Sequence, residues 1–507
     1  MRVLMILPAL TEAKSPFWRP IKYSLFPPLG LATLAAYLSP NDEVRVVDEH
    51  VEGEICTAHE QDWLPDLVVI QVYITSAPRS YRLADYFRSL GCFVALGGLH
   101  VTSLPNESAT HADSIFLGPG EGTFPAFLAD FRRGSPRACY DSREHLRTLD
   151  KLPPIRRDLI NRDLYLVPNS IVVSRGCPHH CGFCYKDAFF DGGKSFYVQK
   201  VDDALAEIDR LPGRHLYFLD DHLLADVRFA ASLFEGMRGM RRLFQGAATV
   251  DSILQGELIE RAAEAGLRSL FVGFESLSEE NLSASNKRQN IGRDYAKAIR
   301  RLDSLGIMVN GSFVFGLDHD GPDVFDRTVE WAVRQGLTTA TFHVATPYPG
   351  TKFHAEMVAQ GRILHRDWDR YDTRHAVFRP ARMSVDALEQ GYRSAYRQFY
   401  SWRNITRAAI AHDSIDMRVK HMAYAAGWKR FEPLWNIVIK LQRLAGMRPA
   451  LESILSRRVH RLSSGRDRGA PVLGRELQLP VLAGCEAAAT KRRNATPETR
   501  ESASSDP

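Results

Sequence analysis

Cys177, Cys181 and Cys184 stand in the stretch RGCPHHCGFCYKD, with three residues between the first two and two between the last two. Three thiolates this close in one loop can hold three iron corners of a four-iron, four-sulfur cube. The fourth iron then stays open to a substrate or cofactor. Spare structural thiols, or three ligands of a zinc site, are the competing readings. Zinc sites usually answer one CxxC pair with a second downstream. Here the next cysteine is Cys485, in a polar tail, so the spacing favours the cluster.

The elements that position such a loop come from the rest of the chain. At 507 residues and 57.1 kDa it is long enough for two or three domains. Its 45% hydrophobic content is that of a soluble globular protein, with no apolar run of transmembrane length. The opening MRVLMILPALTEAK reads as a buried first strand rather than a signal peptide. Seven cysteines do not make a disulfide framework, and a reduced, cytoplasmic setting is expected. The formal charge of +5 is small for this length, so a nucleic-acid partner is not expected.

Residues 1–145 alternate apolar strands with helices, which argues a parallel sheet covered on both faces. Ligands on such sheets bind beyond the strand C-termini. Two glycine-rich strand ends stand there: Gly97-Gly98-Leu99-His100-Val101-Thr102 and Gly118-Pro119-Gly120-Glu121-Gly122. They remove Cβ where a large flat ligand could approach the backbone, or they simply make turns. Neither is a dinucleotide GxGxxG after the first strand. Residues 146–170 read as a linker. Residues 171–355 give five or six further strand–helix units with polar or glycine-rich strand ends, the pattern of a β/α barrel whose chemistry sits at those ends.

The cysteine spacing, with aromatic Phe183 before the last cysteine, resembles the cluster motif of radical S-adenosylmethionine (SAM) enzymes. PPLG, VVD, GGLHVT and GPGEG together resemble the cobalamin-binding domain that precedes one large class of them. The fold that this implies is α/β: an N-terminal Rossmann-like domain, a partial (β/α)6 barrel and a mainly helical C-terminal domain over 356–455. The resemblance implies a [4Fe-4S] cluster on the three cysteines and SAM on its open iron. It places Asp220 and Asp221 of the FxDD motif by the SAM amino group, and Glu275 and Ser276 by its ribose. Gly311, Gly316 and Phe183 fall near the adenine, and Gln245 is a further candidate facing the cavity. For cobalamin it implies Gly97, Gly98, His100, Val101, Thr102, Gly118, Gly120 and Glu121. His50 lies in DxHxxG, the string whose histidine ligates cobalt elsewhere. Here it follows the second strand instead of the first, and it is not expected to be a lower ligand.

Tyr392, Tyr396, Phe399, Tyr400 and Trp402 recur at helical spacings and are expected to pack a helix on the barrel, with a substrate-lining face as the alternative. This region resembles the hopanoid-methylase branch. A helix around Arg418–Met447, apolar through Trp428, Phe431, Leu434, Trp435, Ile437 and Ile439, is expected to pack or to touch a membrane surface. Residues 456–507 read as a flexible basic and polar tail. The implied function is cobalamin-dependent methyl transfer to an unactivated carbon of a small molecule or lipid through a 5'-deoxyadenosyl radical. Its electron donor would be of the reduced flavodoxin or ferredoxin type. Transfer of the 3-amino-3-carboxypropyl group, a radical cyclisation or rearrangement, and a non-catalytic iron–sulfur sensor are the alternatives.

Overall fold

The computed structural model describes residues 1–10, 25–55, 63–191, 194–427, 437–438 and 443–456. The first sheet holds β1 (Arg2–Leu7), β2 (Glu43–Asp48), β3 (Leu67–Gln71), β4 (Phe93–Gly97), β5 (Ser114–Leu117) and β6 (Cys139–Asp141). Their order is β2-β1-β3-β4-β5-β6, all parallel. Alternation along β1 sends Val3 and Met5 to one face and Leu4 and Ile6 to the other. One face packs with Val69 and Phe127, the other with Ile70 and Phe87. A strand buried on both faces is continuously apolar, as RVLMIL is, whereas edge strand β2 mixes charge into EVRVVD. The order reverses between β1 and β3, and ligands bind at such a switch point.

A short β7 (Ser170–Ile171) opens the second sheet. It continues through β10 (His215–Phe218), β11 (Leu243–Ala248), β12 (Leu267–Glu275), β13 (Met308–Phe315) and β14 (Thr339–Val344). These six strands are parallel in chain order, a partial barrel. Between the first two, β8 (Ser174–Gly176) and β9 (Phe196–Val198) form a separate antiparallel ribbon. The chain from Ser170 to Gly176 is therefore two short strands in different sheets. Phe218, Phe244, Phe274 and Phe313 point outward against the covering helices. Several helices begin at side-chain caps: Asp226 accepts from Phe229 N–H at 2.9 Å, and Ser384 from Ala387 N–H at 3.1 Å.

The helix Val385–Phe399 closes the β14 edge. Tyr400 Oη accepts from Ala340 N–H and donates to Ala340 C=O, at 3.0 and 2.9 Å. Tyr396 Oη accepts from Phe342 N–H at 3.1 Å. The phenols satisfy backbone groups that an open edge would expose. This is the packing role expected of the aromatic run, although Trp402 is 43% exposed. Of the span Arg418–Met447, the described residues show a helix over Ile415–Ala425, helical Ile437 and Val438, and a short turn at Leu444–Met447. Trp428, Phe431, Leu434, Trp435, Ile439 and the tail with Cys485 lie outside the described residues. Among the described residues no helix is long and apolar enough to cross a membrane.

Candidate active site

The ribbon β8/β9 pinches the base of the loop that carries the cysteines. Gly176, at φ +74°, makes the pinch: a Cβ there would overlap the carbonyl of Ser195. Asp220, at the end of β10, accepts from Val173 N–H at 3.2 Å and from Ser174 N–H and Oγ–H at 2.5 Å. Burial lifts its pKa to about 7, against those bonds. The loop is pinned further by Gly182 N–H to Ser285 C=O and by Phe353 N–H to Gly182 C=O, both 2.9 Å.

Within that frame Cys177, Cys181 and Cys184 are all free thiols. Burial pushes the Cys177 thiol up to about 11 and that of Cys184 up to about 12. Such thiols stay protonated at neutral pH until a metal's charge displaces the proton. The donor set of three soft ligands in one pinned loop fits an iron–sulfur cluster. Gln289 Nε2 lies 3.4 Å from Cys181 Sγ, a hydrogen bond to sulfur. Lys287 Nζ is paired with Glu275 Oε1 at 2.8 Å; burial works against its charge, but Glu275, then Cys181 and Cys184, raise its pKa above the usual value.

The other SAM candidates divide. Asp221 stands beside the cysteines, bonded by Tyr185 Oη at 3.1 Å, and its buried carboxyl is raised. An acid there suits an ammonium group. Asp220 is instead spent on the loop's own backbone. Glu275 adopts φ +65° and turns to Lys287. Ser276 Oγ accepts from Ser278 N–H at 3.1 Å. Gly311 lies on the outer side of β13 with Phe313 and Phe315, and a Cβ there would overlap Leu337; its pleat position turns it away from the barrel interior. Gly316 is a turn at φ +90° against Leu388. Gln245 sits low in the barrel, its amide between His215 at 2.9 Å and Tyr424 at 3.3 Å, remote from the strand C-termini. Phe183 is half-buried in the cysteine loop.

In the first domain, Gly30, Gln71, Gly97, Gly98, Gly118 and Gly120 line one cleft of about 790 Å³, its open mouth included. Gly98 (φ +116°) and Gly118 (φ +73°) need glycine for their backbone, and a Cβ on Gly98 would meet Val72 C=O at 2.8 Å. Thr102 Oγ1 ties the two turns together, donating to Gly98 C=O and accepting from Gly118 N–H, each at 2.9 Å. A cleft with bare backbone walls at the strand C-termini fits a broad planar cofactor. His100 and Val101 do not line it. His100 Nε2 meets Glu107 Oε1 at 3.1 Å, its ring lies edge-on to Trp368, and Val101 is core. His50 is engaged at both nitrogens, by Asp48 at 2.7 Å and by Leu10 N–H at 3.1 Å.

Glu121 joins the two halves: Arg175, two residues before Cys177, bonds it at 2.5 Å and also lines the glycine cleft. Arg175, Lys287, Gln289 and Tyr185 were not among the residues expected from sequence. Arg175 and Tyr185 flank the cysteines within RGCPHHCGFCYKD, but their partners Glu121 and Asp221 are set by the fold, and only folding brings Lys287 and Gln289 to the cysteines.

Residues 171–332 match the radical SAM superfamily model, and residues 23–128 match the B12 binding domain model. The chain is 28% identical to the bacteriochlorophyllide d C-12(1)-methyltransferase of Chlorobaculum tepidum over 74% of this chain and 82% of that one. It is 26% identical to the hopanoid C-3 methylase of Methylococcus capsulatus, over 78% and 80%. Its fold is similar to that of a radical SAM methyltransferase, TsrM, from Kitasatospora setae, solved with cobalamin and a [4Fe-4S] cluster. The TM-score is 0.56 at 15% identity, covering 88% of this chain and 99% of that one.

Proposed function

We propose that this chain, a radical SAM enzyme with a cobalamin-binding domain, transfers a methyl group to an unactivated carbon of an organic small molecule or lipid. The single observation that carries the reading is Arg175, which lines the glycine cleft, pairs with Glu121 and leads directly into the cysteine loop. One residue thus couples the two cofactor cradles. When bound, the cluster and SAM supply a 5'-deoxyadenosyl radical, and cobalamin supplies methyl-transfer chemistry.

The chain's own residues hold and orient. The three cysteines bind, and Asp220 with the β8/β9 ribbon fixes the loop that presents them. Asp221 offers a carboxylate to a cationic partner beside the cluster. Lys287 and Glu275 place a paired charge next to the thiols, and Gln289 donates to one sulfur. No side-chain acid–base pair is required, because the bond breaking belongs to the cofactors. The relatives named above act on bacteriochlorophyllides and hopanoids, and their shared chemistry supports methyl transfer across unlike acceptors. A flavodoxin- or ferredoxin-type protein would deliver the electron.

Anaerobic reconstitution with iron, sulfide and cobalamin tests the reading. Near one cluster and one cobalamin per chain are expected. A full cluster with no retained cobalamin would contradict methyl transfer.

A further inference from the structure

We propose that His222 and Asp251, in a cleft beside the cysteine loop, recognise the methyl acceptor through a hydrogen-bond donor that it carries: an amide N–H, an amine or a hydroxyl. This rests on the methyltransferase reading and gives its acceptor a cleft that borders the cysteine loop through Pro178 and His179.

The cleft, about 1110 Å³ with its mouth, opens between the cysteine loop, the turn after β10 and the segment after β11. Pro178, His179 and His222 form one wall, and Asp251 faces the same space. His222 is 3% exposed. Its ring stacks on that of His179, centroids 5.8 Å apart and planes 23° apart, so it is seated directly against the loop that carries the cysteines.

The hydrogen-bond chain fixes the His222 tautomer. Thr249 Oγ1 gives its one hydrogen to the Asp251 carboxylate. The same oxygen therefore accepts from His222 Nε2–H, at 2.9 Å. Nδ1 is left as a lone-pair acceptor, and among the described residues it is buried with no hydrogen-bond partner. Burial keeps the ring neutral, bringing its pKa down to about 4. A buried acceptor without a donor is costly, and a ligand that brings an N–H or O–H recovers that cost. Asp251 adds a second acceptor that lines the same cleft. An ester or ether presents acceptor against acceptor here, and a pure hydrocarbon satisfies neither group. The pair thus selects for donors.

The test uses the full chain with cluster and cobalamin restored and SAM present. Benzamide and N,N-dimethylbenzamide share a ring and a carbonyl and differ in the N–H. Saturation-transfer NMR should show benzamide binding roughly tenfold more tightly. His222→Phe should erase the preference. His222→Asn, which returns an amide oxygen near the Nδ1 position, should keep most of it. The cluster absorbance of each variant reports that the loop has folded. Equal binding of the two probes to the wild type, or a preference that survives His222→Phe, overturns the assignment. Equilibrium dialysis of SAM on the same samples separates the two readings. A loss of SAM affinity in His222→Phe with the probe preference intact would give the cleft to SAM and overturn the proposal. A wild type that binds no SAM would sink the methyltransferase reading, and the probe preference would still judge the cleft.

Discussion

Arg175 Nη2 and Glu121 Oε1 meet at 2.5 Å, joining the strand that enters the cysteine loop to the glycine turn of the first domain. Glu121 is the more enclosed partner, 10% exposed at its side chain against 29% for Arg175. Glu121→Ala would leave the guanidinium short of its strongest acceptor, at a cost of about 1–3 kcal/mol. Urea unfolding should show that loss. The same variant should retain less cobalamin per chain than the wild type after gel filtration. Unchanged stability and retention would mean that the pair couples nothing.

Each of Cys177→Ala, Cys181→Ala and Cys184→Ala should bring bound iron and sulfide from about four per chain to near zero. A finer test is Gln289→Leu. It removes the donor 3.4 Å from Cys181 Sγ without touching a ligand. Loss of a hydrogen bond to a thiolate sulfur makes the cluster harder to reduce. The potential measured by redox titration with electron paramagnetic resonance should move negative. A positive shift would show that the amide does not act on the sulfur.

Gly311 is a packing glycine, and its substitution tells packing from cofactor contact. Gly311→Val would force carbon against Leu337 and the Phe274 ring and should destabilise the fold by about 1–3 kcal/mol. SAM affinity should be unchanged in the folded fraction. A selective loss of SAM binding at full stability would return Gly311 to the adenine site.

These contrasts show what the sequence carried. The cysteines and the continuous apolar strands were legible because each depends on local spacing. The pleat of β13 was passed over: polar Asn310 and Ser312 alternate with Val309, Phe313 and Phe315, which sets Gly311 among the outward residues, whereas the motif resemblance had drawn it to the adenine. Gln245 could not be placed, since its height in the barrel depends on pairing with Tyr217 and on Tyr424 arriving from the C-terminal helices. The ribbon β8/β9 was hidden because Val172 and Val173 continue the apolar run across the break. His100 was drawn away by Glu107 and by Trp368, the latter 268 positions further along the chain, 368 less 100.

Buried histidines destabilise the fold on acidification. His421 is buried against His412, and burial brings its pKa from 6.5 to about 3. The unfolded chain therefore binds a proton between pH 6.5 and about 3 that the folded chain does not. Stability should fall with decreasing pH across that window, by up to about 1.4 kcal/mol per pH unit for this group alone. His215 and His222, both brought to about 4, add to the slope over a narrower window. In His421→Asn, urea unfolding at pH 7 and pH 5 should show a shallower pH dependence. An unaltered slope would remove His421 from the account.

The most direct test of methyl transfer is the fate of SAM. The reconstituted chain, with cluster and cobalamin bound and a strong reductant added, is incubated with SAM, and the products are separated by liquid chromatography and mass spectrometry. Methyl transfer with radical cleavage predicts both S-adenosylhomocysteine and 5'-deoxyadenosine, with S-adenosylhomocysteine lost when cobalamin is left out. 5'-Deoxyadenosine alone, or methylthioadenosine in place of S-adenosylhomocysteine, would contradict it.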